Sequence, residues 1–130
     1  MDTSAWYSFL NEKDEVHEQV LEIISSKHYS LVTSNFIVAE LLNLQVSRRM
    51  KHVALGFGRS LREKSDVIIV PVEPRDENEA WSLFEKYKDK DYSFTDCTSF
   101  ALMKRIKGKK VLALDDDFRE MGFLVLPEKS

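Results

Sequence analysis

At 130 residues, with 22 acids against 19 Lys and Arg and a formal net charge of −3, the chain is long enough for one domain with its own core. It is too acidic for a generic nucleic-acid binder, which is usually basic. No apolar run approaches the roughly 20 residues of a membrane-spanning helix, the start lacks the basic-then-apolar signature of a secretory signal, and the single Cys97, unable to pair within the chain, suits a reducing, cytoplasmic setting.

The chain opens Met1-Asp2-Thr3-Ser4-Ala5-Trp6-Tyr7. An acid ahead of two hydroxyls and an apolar run reads as the exit of a strand into a helix N-terminus. A helix is predicted over about 14–26, with Asp14 as its cap and Val16, Val20, Ile23 and Ile24 as an apolar stripe. Residues 29–33 form a short strand candidate. Ser34 or Asn35 then caps a helix in which Phe36, Ile37, Leu41 and Leu44 are apolar, with Glu40 among them. A Glu in such a place is ordinarily solvated. The next helix, from Arg48 to Leu61, is expected to break or loosen at Gly56 and Gly58. Gly56-Phe57-Gly58 is no phosphate loop, because no Lys-Ser/Thr follows it.

Residues 67–72, β-branched and ended by Pro71, are the clearest strand. An amphipathic helix over 75–88 carries Ala80, Trp81, Phe84 and Tyr87. The stretch 92–118 follows. Thr95 is placed to cap a helix, Asp96 falls in its first turn, and Phe100, Met103 and Ile106 recur at helical spacing. Lys104, Arg105 and Lys107 load the last turn with cations, and Gly108 reads as the stop. Residues 111–114 make a short apolar strand that runs directly into Asp115, Asp116 and Asp117. A short helix over 116–121 and an edge strand over 123–126 close the chain. Strands alternating with helices predict an α/β fold, a mostly parallel central sheet flanked by helices on both faces. A helix-start carboxylate at Asp96 and a strand-end carboxylate at Asp115 can meet on one sheet edge, where open α/β folds keep their ligands.

Two runs carry a resemblance. Ser93-Phe94-Thr95-Asp96-Cys97-Thr98-Ser99-Phe100-Ala101-Leu102-Met103, then Ala113-Leu114-Asp115-Asp116-Asp117-Phe118 with Gly122-Phe123, resemble the C-terminal half of PIN-domain ribonucleases. The nearest group is the toxin subunits of VapBC-type toxin–antitoxin pairs. That family shows Thr/Ser-Asp-x-x-Ser-Phe and then a strand ending in Asp, two residues and Phe, so the matched acids are Asp96 and Asp115. Asp117 stands where many relatives carry His, and no role passes to it. Asp2-Thr3-Ser4 resembles the family's opening, and Glu40 within Asn35-Phe36-Ile37-Val38-Ala39-Glu40-Leu41-Leu42 matches its second acid.

The resemblance implies one PIN-like domain over residues 1–130 and a metal-dependent endoribonuclease with Asp2, Glu40, Asp96 and Asp115 as catalytic, metal-holding acids. Thr3, Ser4 and Ser99 would be supporting hydroxyls. It implies RNA cleaved to 5′-phosphate and 3′-hydroxyl ends, a homodimer, and a small antitoxin partner. Relatives open with a short apolar strand central in the sheet. Only Met1 precedes Asp2 here, so that strand is expected to be truncated and its neighbours left with unpaired backbone groups.

Gathered carboxylates repel one another and stay ionised together only around a cation. Oxygen-only ligands select hard ions, hence Mg²⁺ or Mn²⁺ and not zinc. His17, His28 and His52 lack ligand spacing, and Cys97 lacks a positioned His, so these four read as structural or solvated. The basic run Lys104, Arg105, Lys107, Lys109 and Lys110 suits either RNA phosphates or a helix C-terminus. Two other classes compete: a non-catalytic PIN-like RNA- or protein-binding module, and a receiver-type phosphoacceptor. The latter wants an acidic pair after its first strand, whereas Asp2 is followed by Thr3.

Overall fold

The computed structural model describes residues 1–26, 30–63 and 66–127. Among them the order is α1 (Thr3–Leu10), α2 (His17–Ser25), β1 (Val32–Ser34), α3 (Asn35–Ser47), α4 (Lys51–Arg62), β2 (Ile68–Val70), α5 (Pro74–Lys86), α6 (Phe94–Ile106), β3 (Lys110–Leu112), α7 (Asp117–Glu120) and β4 (Leu124–Leu126). The α/β class expected from the alternating pattern holds. His28 and Tyr29 lie outside the described residues.

Every strand pairing is parallel, and the sheet comes in two halves. β1 pairs with β2 in the register Val32↔Ile68, and β3 pairs with β4 in the register Val111↔Val125. The first two residues of the chain lie between the halves. Met1 N donates to Val32 O at 2.6 Å, and Asp2 N donates to Leu112 O at 2.9 Å. Successive residues of a parallel strand bond to opposite neighbours. Met1 and Asp2 therefore occupy the track of a strand between β1 and β3, with one rung to each side. Thr33 Oγ1 adds a bond to Met1 O and accepts Trp6 Nε1.

Three apolar clusters position this edge. The largest joins Phe100 of α6 to Tyr92, Val111, Phe118 and Val125. Phe100 meets Phe118 and Tyr92 edge-on, with ring centroids 5.0 and 5.3 Å apart. The second packs Trp6 against Ile37, Leu41 and Phe57, and the third packs Ala5 and Val20 on Leu112.

Several boundaries differ from the sequence reading, each for a local reason. α6 is capped by Ser93, not Thr95: Ser93 Oγ accepts Asp96 N at 3.0 Å, and the Asp96 carboxylate accepts Ser93 N at 3.0 Å. This reciprocal box satisfies two backbone donors, so the helix starts one turn ahead of the position a lone Thr would set. At the other end Lys107, not Gly108, takes the left-handed conformation (φ 58°), and Gly108 N closes on Met103 O at 2.8 Å. α4 runs unbroken through Gly56 and Gly58. A helical Gly costs about 1 kcal/mol against Ala, and burial of Ala54 and Phe57 on the same helix offsets it. α2 starts at His17 because Asp14 turns its carboxylate to Val16 N at 3.0 Å, closing a turn before the helix. Ser34 caps α3 through Ile37 N, while Asn35 reaches across to Val72 N at 2.8 Å.

Candidate active site

Asp2, Asp96 and Asp115 are delivered by three different elements: the residue before α1, the first turn of α6 and the exit from β3. Each is anchored through one carboxylate oxygen. Asp2 Oδ2 accepts Ser4 Oγ–H at 2.9 Å, and Ser4 Oγ accepts Leu114 N at 3.0 Å, which ties α1 to the residue before Asp115. Asp96 Oδ2 is held by Ser93 N, and Asp115 Oδ1 accepts Asp117 N at 3.2 Å as α7 begins. Asp2 is 3% exposed, and its Oδ1 is buried without any hydrogen-bond partner. Asp96 is half-buried and Asp115 exposed.

These carboxylates act on one another. Burial pushes Asp2 up to about 6; the Ser4 hydroxyl pulls against that shift and the Asp115 charge adds to it. Burial also pushes Asp96 up to about 6, and the charges of Asp2 and Asp115 push the same way. Glu40, half-buried on α3 between the core residues Ile37 and Leu41, is not among the charges acting on either. The structure thus brings three of the four expected acids into mutual range, and Glu40 stands apart.

Among the described residues no three acid, His or Cys side chains stand within reach of one ion. The donor chemistry nonetheless fits a hard divalent cation. An unpartnered oxygen lies buried at Asp2, two neighbouring acids resist ionisation, and the ligand atoms are all oxygen. A bound ion would draw the three side chains together.

Of the expected supporting hydroxyls, Ser4 is the one bonded to a site acid. Thr3 Oγ1 and Ser99 Oγ are buried without partners. Ser93 and Thr33, which sequence reasoning passed over, position the site. Ser93 stands three residues before Asp96, the spacing of a capping box, and that signal was available. Thr33 had none, because its role depends on where the first residue lies.

The competing groups are structural. The ring of His17 contacts Ser8 O at 2.9 Å through Nδ1 and stacks on Phe9. Cys97 is fully buried, and burial pushes its thiol up to about 11, away from thiolate chemistry. Arg105 of the basic run is engaged inside the fold, with Nε 2.9 Å from Asp76 Oδ1 and NH2 donating to Pro71 O at 3.2 Å.

The PIN domain family model matches residues 1–124. The chain is 33% identical over 129 residues to the 23S rRNA-specific endonuclease VapC20 of Mycobacterium tuberculosis, in both strain CDC 1551 / Oshkosh and strain ATCC 25618 / H37Rv, covering 98% of each chain. It is also similar to the crystal structure of Mycobacterium tuberculosis VapC20, described as a sarcin–ricin loop cleaving toxin, with a TM-score of 0.86, 29% identity and coverage of 95% of this chain and 94% of that one. No helix among the described residues is long and apolar enough to cross a membrane. From the N-terminal acid to the last strand, this chain belongs to the PIN-domain family and is of the VapC type.

Proposed function

We propose that this chain is a Mg²⁺- or Mn²⁺-dependent endoribonuclease, the toxin of a toxin–antitoxin pair, acting in the cytoplasm on RNA. The observation that carries the reading is Asp2: a nearly fully buried carboxylate with an unpartnered oxygen, beside two other acids, in a chain that matches an RNA endonuclease over its whole length. An isolated buried carboxylate with nothing to pair with is costly, so a site that keeps one is built for a cation.

In this reading Asp2, Asp96 and Asp115 hold the ion, with Glu40 reaching in from α3 when substrate or metal closes the site. A divalent cation, when bound, neutralises the cluster, polarises a phosphate oxygen and lowers the pKa of an attacking water. Ser4 and Ser93 keep the carboxylates oriented. Thr3 and Ser99 offer their free hydroxyls to substrate or to water at the site. The substrate is a single-stranded or looped RNA, cleaved to 5′-phosphate and 3′-hydroxyl ends. The protein works as a homodimer and is restrained by a small antitoxin.

The test is RNA cleavage with added Mg²⁺ or Mn²⁺ and with EDTA. Cleavage should require the metal and stop with the chelator; full activity in EDTA would sink the mechanism. The second reading, a PIN-like module that binds RNA or protein without turnover, draws on the absence of a closed set of three acids among the described residues. Stoichiometric binding without turnover in Mn²⁺ would favour it.

A further inference from the structure

A cavity of about 370 Å³ lies between the two half-sheets. Its walls are apolar: Leu31 and Val32 on one side, Ile37 from α3, and Leu102, Met103 and Ile106 from α6. Met1 and Asp2 stand at one end. Three observations give this space the shape of a strand. First, Met1 N and Asp2 N donate to opposite sides, to Val32 O and Leu112 O, as consecutive residues of a central parallel strand do. Second, the lining continues to residues that precede those rungs on both flanks, Ser30 and Leu31 ahead of Val32 and Gly108 ahead of Leu112. The space therefore extends the line of Met1 backwards. Third, β1 and β3 each have their ladder partner on the far side, β2 and β4, so the edges facing the cavity are the ones a further strand would use.

The occupant's chemistry follows from the walls. A strand here runs parallel to β1 and β3 and has a covered surface on both faces, so each of its side chains must be apolar. At about 3.3 Å per residue, the stretch from Gly108 to Leu112 leaves room for about three residues. Running in this direction, the occupant's last residue meets Met1 N, a hydrogen-bond donor bonded to one carbonyl at 2.6 Å. A carboxylate placed there would accept a charge-assisted bond.

We infer that this slot is a peptide-binding site, which takes the apolar C-terminal end of an extended chain in trans, about three residues long, with its terminal carboxylate on Met1 N. Binding would join the two half-sheets into one by strand addition and would stiffen the strand position that carries Asp2.

The experiment uses the full chain and three peptides: acetyl-Val-Ile-Val with a free carboxylate, its C-terminal amide, and acetyl-Ser-Thr-Ser with a free carboxylate. At about ten times Kd the first should raise the unfolding midpoint by about 5 °C. The amide should bind several-fold more weakly, and the polar peptide should give no shift. Met103→Glu, which puts a charge on the slot wall, should abolish the shift. No shift with any peptide, equal shifts with all three, or an unchanged shift in Met103→Glu would each overturn the inference. So would a stabilisation obtained only when Val-Ile-Val is fused ahead of Met1 and never with free peptide, since the slot would then accept only a covalently joined strand. The readout is binding and not turnover, so it stands or falls separately from the nuclease reading.

Discussion

Asp96 and Asp2 face the same site from supports of very different strength. Asp96 sits in the first turn of α6, a helix of 13 residues whose next six, Cys97 to Leu102, are all buried. That helix is bolted to α5 through Arg105 and Asp76 and to α7 through the Phe100–Phe118 pair. Asp2 sits at the end of a two-residue segment with one backbone rung on each side. What fixes it beyond that is Ser4, Thr33 and the burial of Trp6. A carboxylate on a packed helix keeps its geometry whatever its charge. One on a short segment relies on a few polar bonds, and each of those becomes a point of control.

The strongest way to break this contrast is to remove packing on each side. Phe100→Ala empties the centre of the largest core cluster and should cost about 3–5 kcal/mol. Met103→Ala, on the same helix but facing the slot, should cost less, near the low end of the roughly 2–5 kcal/mol range for such truncations, because its surroundings are already open. Denaturant unfolding of both variants checks the order; equal losses would mean the slot side is packed as tightly as the core.

Asp96→Asn comes next. Asn keeps the acceptor that closes the Ser93 box but removes one negative charge from the site. RNA cleavage should fall about 10²–10³-fold, the scale of losing one charge-stabilising group, while unfolding stays as cooperative as before. A collapse of the fold would show that Asp96 matters as a cap before it matters as a ligand. Ser4→Ala tests the weaker support. It should cut metal-dependent activity about 10–100-fold, the range for groups that orient a ligand, through weaker metal affinity with the thermal midpoint little changed. A loss in midpoint as large as the loss in activity would make Ser4 a structural link between α1 and Leu114.

Without metal, pH acts on both supports at once. Asp2 and Asp96 are each raised from the ordinary carboxylate range to about 6 in the folded chain. A carboxyl raised on folding binds more protons folded than unfolded between pH 4 and 6, so its contribution to stability falls as pH rises through that window. The metal-free protein should therefore gain thermal stability from pH 7 to pH 5, and saturating Mg²⁺ at pH 7 should recover part of that gain. Thermal unfolding at the two pH values checks the sign.

Much of this edge is legible in the sequence. Asp96 and Asp115 are marked by the run Thr95-Asp96-Cys97-Thr98-Ser99-Phe100 and by the strand that empties into Asp115. The parallel α/β order is marked by alternation. What was not legible is what depends on tertiary placement. The continuous α4 was hidden because Ala54 and Phe57 outweigh two glycines. The standing of Glu40 was hidden because helical spacing alone does not show how near its carboxylate comes to Asp2. The two half-sheets and the slot between them follow from where Met1 lies, which no local pattern encodes.

The smallest effect expected is also the one that tests the register. Asp115, Asp116 and Asp117 follow one another, and only one should be a ligand. Asp115 Oδ1 accepts Asp117 N, so Asp115 leads the turn into α7 and Asp117 lies one turn further, in the helix itself. Burial raises the Asp117 carboxyl, and the charges of Asp115, Glu120, Asp116 and Asp91 raise it further. Those neighbours belong to the α7 side; neither Asp2 nor Asp96 is among them. Asp117→Asn removes one of several like charges and leaves its backbone N–H, the group that orients Asp115, in place. Cleavage should change by less than about threefold, with stability equal or slightly raised by relief of repulsion. Steady-state RNA cleavage by Asp117→Asn beside Asp115→Asn decides the matter. If the two lose activity alike, the acid that faces Asp2 and Asp96 has been assigned to the wrong member of the run.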